Sequence, residues 1–326
     1  MRFRYSYIYQ GLFLLVALSI AFVTVSVHAE TQFKIGLAVW SGYPENVRGF
    51  KDGLAEAGLV EKSNITFLQG ESGADRALQR RVAEQFKSDK VDLVYSLTTP
   101  GTTIIKEVIP LETPIVYSIV TYPADSGLIE SFEYSGNNLV GTSNYVALNY
   151  YVQLLQDILP SARKVAIFHR KGEPNSMIQS ANLTRQFIRA GLEVLDRQAV
   201  DIAELTAMAR DLINEVDAFI TTTDTLIQSG GEQALIEISL QHNIPILSSN
   251  KAGIENGATF GPVADFYILG KLAGALAARI LQDGKRPTEL ESGIQKPPLF
   301  LVNRNSLEQL EIQLPEHVER NITWVE

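Results

Sequence analysis

From Phe33 onward, short β-branched runs alternate with amphipathic stretches at helical spacing, and this alternation constrains the fold more than any other feature. Expected strands are Phe33–Val39, Ile65–Leu68, Asp92–Tyr95, Ile115–Ile119, Leu139–Thr142, Val165–His169, Glu193–Arg197, Ala218–Thr221 and Ile246–Ser248. Between them, Pro44–Ala57, Ala74–Ser88, Tyr145–Leu159, Asn175–Ala190, Ala203–Val216 and Leu226–His242 read as helices. Alternation of this kind predicts an α/β fold, with parallel sheets and crossover helices on both faces. Several strands are continuous apolar runs, as burial on both faces requires.

One large sheet and two smaller ones both fit this pattern. The turn-rich stretch Tyr134–Asn144 is a natural boundary, because the βα pattern restarts beyond it. The polar, glycine-containing Ser248–Gly261 reads as a return crossing, and Asp283–Lys296 as a third. The expected lobes are therefore 30–143 plus 254–285, and 144–253 plus 286–326. A cleft between the carboxyl ends of both sheets is where open α/β folds bind ligands. Residues 1–29 carry Arg2 and Arg4, an apolar run Gly11–Val25, and Val27-His28-Ala29, and read as a cleavable secretory signal peptide. The run is nearly long enough to span a bilayer, but it is short and ends at a good cleavage site.

At 326 residues, 45% hydrophobic and 20% charged, the chain is neither a small module nor disordered. It has no cysteine, which excludes disulfides, thiolate metal sites, a cysteine nucleophile and a lipid-anchoring cysteine. Its histidines, His28, His169, His242 and His317, lack metal-ligand spacing. The net charge of −9 disfavours nucleic acid and anionic membrane surfaces as partners. No G-x-S-x-G, H-E-x-x-H, P-loop or G-x-G-x-x-G motif is present, so an enzyme is not expected. Neither is a metal or a cofactor.

Ordered segments along the chain carry a family resemblance. They are Gly49-Phe50-Lys51-Asp52-Gly53-Leu54, Lys90-Val91-Asp92-Leu93-Val94, Thr99-Pro100, Val120-Thr121-Tyr122-Pro123 and Asn138-Leu139-Val140-Gly141 in the first half. In the second half they are Gly172-Glu173-Pro174-Asn175-Ser176, Thr223-Asp224, Asn243-Ile244-Pro245-Ile246 and Asp265-Phe266-Tyr267. The chain resembles the ABC transporter substrate-binding family, type I periplasmic binding proteins that include tryptophan-type aromatic amino-acid binders. The resemblance implies two Rossmann-like lobes joined by a three-crossing hinge that closes on a small ligand, best an aromatic or branched amino acid. It implies an inner-membrane ABC permease as partner and a monomeric binding protein. With an export signal and no anchoring cysteine, the expected compartment is a Gram-negative periplasm. A periplasmic sensor serving a membrane kinase or cyclase would use the same fold, and no sequence feature separates the two roles.

The residues that would meet a ligand follow expected strands. Asn175 and Ser176 begin a helix, whose free amides suit a carboxylate, and the resemblance assigns them that role; an ordinary N-cap is the alternative. Asp224 follows Ala218–Thr221 and would pair with a ligand ammonium, or else cap the helix from Leu226. In the first lobe Trp40, Tyr43, Thr99, Thr121 and Tyr122 suit an apolar or aromatic group. Asn250 and Asp265 are further cleft residues, or turn and cap residues. The chain departs from the family pattern at Arg170-Lys171, Pro174, Thr225, the short Trp40 loop, and Tyr122, where Asp is common. Whether Arg170 and Lys171 face the cleft is open at this level.

Overall fold

The computed structural model describes residues 32–326, so the expected leader at 1–29 lies outside the described residues. Strands β1 (Phe33–Val39), β2 (Ile65–Glu71), β3 (Leu93–Leu97), β4 (Ile115–Ser118) and β5 (Leu139–Ser143) open the chain. Strands β6 (Lys164–Arg170), β7 (Glu193–Ala199), β8 (Ala218–Thr221), β9 (Ile246–Leu247) and β10 (Phe260–Val263) follow. The chain ends with β11 (Gly293–Ile294), β12 (Leu299–Asn303) and β13 (Thr323–Val325). They form two sheets, in the orders β11-β5-β4-β3-β1-β2 and β13-β12-β10-β9-β8-β6-β7. The first is parallel throughout, and the second is parallel except where β10 meets β12.

The helices are α1 (Pro44–Glu56), α2 (Arg76–Ser88), α3 (Thr99–Val108), α4 (Leu148–Ile158), α5 (Pro174–Arg189) and α6 (Ile202–Asp211). They continue with α7 (Glu232–His242), α8 (Lys251–Glu255), α9 (Phe266–Leu281), α10 (Arg304–Gln309) and α11 (Glu316–Glu319). None among the described residues is long and apolar enough to cross a membrane. Each sheet buries both faces. Ile35, Leu37, Leu93 and Tyr95 pack with Phe50, Leu54, Ala273 and Ala277 on one side of the first sheet. Ala38, Val94, Ile115 and Tyr117 pack with Ala83, Phe86 and Ile105 on the other. Alternate residues of one strand thus serve opposite layers, which is why these strands read as unbroken apolar runs.

The chain passes from the first sheet to the second after β5, returns between β10 and α9, and leaves again between β11 and β12. The expected return at Ser248–Gly261 is corrected: that stretch holds α8 and the start of β10, still in the second sheet. Gly261 there is a strand residue, since a Cβ on it would lie 1.9 Å from Ser248 O of the neighbouring strand. The boundary expected at 253/254 therefore falls after Val263. The one expected at 285/286 falls after β11, which pairs with β5. Strands β10 to β13 were not expected at all.

Helix α9 returns to the first lobe and lies directly on α1. Gly49 and Gly53 of α1 meet Gly270 and Gly274 of α9 at the same spacing. A Cβ on Gly49 would come 2.1 Å from Tyr267 O, and one on Gly270 would come 2.0 Å from Asn46 O. Only glycine allows backbones so close. Asn46 fastens the contact, donating from Nδ2 to Phe266 O at 2.8 Å and to Ser118 Oγ at 2.9 Å. Asp265 starts α9 by accepting from the backbone amides of Tyr267 and Ile268. Gly270→Ala is expected to cost roughly 1–3 kcal/mol or more in urea unfolding, because the obstacle is backbone that cannot swing aside. Gly293→Ala, where an added Cβ meets nothing within 4 Å, should change little.

Candidate functional site

Each sheet has one place where strand order reverses: between β1 and β3 in the first, and between β6 and β8 in the second. Adjacent connections there leave in opposite directions and open a crevice beyond the strand ends. The two crevices face each other. Tyr43, Thr98 and Thr99 follow β1 and β3; Glu173, Asn175, Thr223, Asp224 and Thr225 follow β6 and β8. With Ile119, Thr121, Asn144 and Gln228 they close around a cavity of about 10 Å³ between the lobes, about the room one water needs, so a larger occupant requires the lobes to part. The lobes touch across it through Thr121 Oγ1 and Thr223 Oγ1, 3.0 Å apart.

The wall carries polar atoms without protein partners. Thr99 Oγ1, Asn144 Oδ1 and Asn175 Oδ1 make no hydrogen bond, although their residues are 2%, 4% and 4% exposed. Burying such atoms unpaired costs free energy, so three of them around one cavity point to a bound group that supplies donors. Two carboxylates add to this. Glu173 accepts from Thr225 Oγ1 at 2.6 Å and from the Thr225 amide at 3.3 Å. Burial and then the neighbouring Asp224 charge push its carboxyl up to about 7, against the opposing pull of Thr225 and Arg170. Asp224 accepts from the amides of Arg170 and Ile227 and from Thr222 Oγ1, yet burial still raises its pKa. Across the cavity Tyr43, held at φ 63 at the start of α1, has its phenol raised by burial and then by the charges of Glu173 and Asp224.

Among the expected site residues, Tyr43, Thr99, Thr121, Asn175 and Asp224 line this cavity. Asp224 also caps the turn at Ile227, so both of its expected roles coexist. The others sit elsewhere. Trp40 is buried against Gly101 at the start of α3. Ser176 turns its hydroxyl to the carbonyls of Arg170 and Glu173, which satisfies the chain's own entry into α5. Tyr122 stands edge-on to Tyr145 in a pocket on one flank. Asn250 and Asp265 line the opposite flank; Asn250 donates to Glu232, and Asp265 pairs with Lys251 at 2.5 Å. Arg170 lies partly toward the site, donating to Thr225 Oγ1 at 2.6 Å, whereas Lys171 is exposed. Glu173, Asn144 and Gln228 were not singled out as ligand contacts, although Glu173 lies in the same turn as Asn175.

Glu232, behind Asp224, accepts from Thr221 Oγ1 and Ser248 Oγ at 2.6 Å each and from Asn250 Nδ2 at 3.1 Å. Burial raises its carboxyl to about 7 in spite of these bonds. A carboxyl raised in the folded state favours folding fully below its ordinary value near 4.5 and loses that benefit as pH rises through about 7. Unfolding free energy should therefore fall from about pH 5 to about pH 8, with Glu232 contributing on the order of 3 kcal/mol. Glu232→Gln, neutral throughout, should flatten this fall in urea titrations. An unchanged slope would remove Glu232 as a source.

Comparison with known proteins places this architecture. The chain belongs to the ABC transporter substrate binding protein family, which it matches over residues 41–325. A Tyrosine-binding protein of Clostridioides difficile (strain R20291) is 27% identical over 288 residues, 87% of this chain and 83% of the relative. An ABC domain from Streptococcus pneumonia in complex with L-Trp superposes with a TM-score of 0.85 at 22% identity, over 91% of this chain and 100% of that one. The ligand-free, open structure of a substrate binding protein with adhesive properties from Clostridium difficile gives 0.72 at 24% identity, over 90% and 99%. The fold is the type I periplasmic-binding-protein fold, as the resemblance implied.

Proposed function

We propose that this chain is the periplasmic binding component of an ABC importer and captures an aromatic amino acid between its lobes. The observation that carries the reading is the cavity at the meeting of the two crevices. Its unpartnered oxygens and two buried carboxylates outweigh a single, partly exposed guanidinium. An ammonium group supplies three donors and one positive charge, which is what this wall lacks. Glu173 and Asp224 would hold it, with Asn144 and Asn175 accepting beside them. The ligand's carboxylate would lie toward the start of α5, where the helix ends in positive potential, with the Thr99 hydroxyl within the same wall. Tyr43 and Ile119 offer the surface for a ring.

The binding relatives support this reading, since the named ligands are tyrosine and tryptophan. Closure is the expected mechanism. Glu173, Asp224 and Asn175 come from the second lobe and Tyr43, Thr99 and Ile119 from the first, so a ligand gains its full set only when the lobes meet, and it shifts the population toward the closed form. The Thr121–Thr223 bond would be one of the closed-form contacts. Delivery to a membrane permease follows as the second half of the task.

Thermal unfolding of ligand-stripped protein with the amino acids as a panel tests the reading. L-tyrosine or L-tryptophan at about 100 times its Kd should stabilise the native state by about 2.7 kcal/mol, whereas indole-3-propionate, the deaminated and hydroxyl-free counterpart of tryptophan, should not. Asp224→Asn should weaken binding about tenfold or more without unfolding the protein, because the ammonium loses a charged partner. A response to indole-3-propionate equal to that of L-tryptophan would overturn the ammonium site.

A further inference from the structure

One flank of the interlobe cleft carries a chemistry opposite to that of the central cavity. Thr121 lines both spaces, so they adjoin, but the flank pocket has its own walls and a volume of about 460 Å³. On the second lobe, Arg185 and Arg189 stand one turn apart on α5. Arg185 donates only to Asn182, and among the described residues neither arginine has a carboxylate partner. On the first-lobe side lie Tyr122, Phe132 and Asp125, with Tyr145 on the crossing segment. Tyr122 and Tyr145 are packed edge-on with ring centroids 5.6 Å apart.

We propose that this pocket is a second binding site, for a small aromatic monocarboxylate bearing a hydroxyl. Arg185 and Arg189, both exposed, bring two planar guanidinium groups to one wall, and the guanidinium is the side-chain group that matches a carboxylate best. The rings of Phe132, Tyr122 and Tyr145 offer edges and faces to a planar occupant. Asp125 at the rim favours a neutral hydroxyl donor at the far end of the ring and repels a second carboxylate. Because one wall belongs to each lobe, an occupant holds the lobes together. It therefore strengthens capture in the central cavity, and a central ligand strengthens the flank site by the same factor.

Isothermal titration of the mature protein with 4-hydroxybenzoate, with no other ligand present, tests the site independently of what the central cavity takes. Wild type should bind it and should not bind 4-hydroxybenzyl alcohol, which lacks the carboxylate. The double variant Arg185→Ala/Arg189→Ala should weaken binding about tenfold or more, and the lysine pair should fall between, since it keeps charge without the planar fork. Asp224→Asn and Glu173→Gln, which alter the central cavity, should leave the affinity within about twofold. Absence of binding to wild type, or equal affinity in the arginine-to-alanine variant, overturns the proposal. So does binding lost in both central variants and kept in the arginine variant, which would place the acid in the central cavity.

Discussion

Everything in the first lobe depends on the backbone contact between α1 and α9. Four glycines at matching spacing let the two helices approach until a carbonyl of one occupies the space of a missing side chain on the other. Asn46 then ties that contact to the sheet, since its amide reaches Phe266 O and Ser118 Oγ together, and Tyr95 donates to its oxygen. Thr142 Oγ1 adds a bond to Leu269 O at 3.1 Å. A helix that arrives after β6 to β10 of the second lobe is thereby fixed to the first within narrow tolerance. The crossing segment leading into it, with Asp265 capping at one end, inherits that precision.

The cleft is built by topology and then charged by burial. Both order reversals lie at the carboxyl edges that face one another, so loops distant in sequence supply one small cavity. Its electrostatics come from what is left out. Glu173 and Asp224 sit beside each other with backbone amides and hydroxyls for company, and Arg170 approaches with its Nε 4.0 Å from Glu173. Amides and hydroxyls stabilise a carboxylate but do not neutralise it. The result is a pair of acids whose ionisation burial opposes.

Much of this was legible in the chain. Strands buried on both faces announce themselves as apolar runs, and β1, β4, β6 and β8 came within a residue or so of their expected bounds. Once the topology was right, strand ends pointed to Tyr43, Thr99, Thr121, Asn175 and Asp224. What failed did so for physical reasons. Strand β10 contains Gly261 and Pro262, residues that usually mark loops, because its neighbour comes too close for a side chain at Gly261. Trp40, expected from its place after a strand, is buried against Gly101, and Ser176, expected from its place at a helix start, turns its hydroxyl to the entry of α5. The bond from Thr225 Oγ1 to Glu173 joins the ends of two strands 52 residues apart in sequence, and no local pattern records it.

The α1–α9 contact also sets an order of events for a newborn chain. Asn46 and Phe266, which it brings together, are 220 residues apart in sequence. Contacts of such separation pay loop entropy early and are rewarded late, which slows folding. The first lobe cannot be completed until α9 and β11 have been made, and both follow β6 to β10 of the second lobe. Until then β1 to β5 lack one covering layer and expose the face that Ala273 and Ala277 will bury. A chain that stays unfinished this long remains threadable for most of its synthesis, and the same glycines that close the lobe decide when it stops being so.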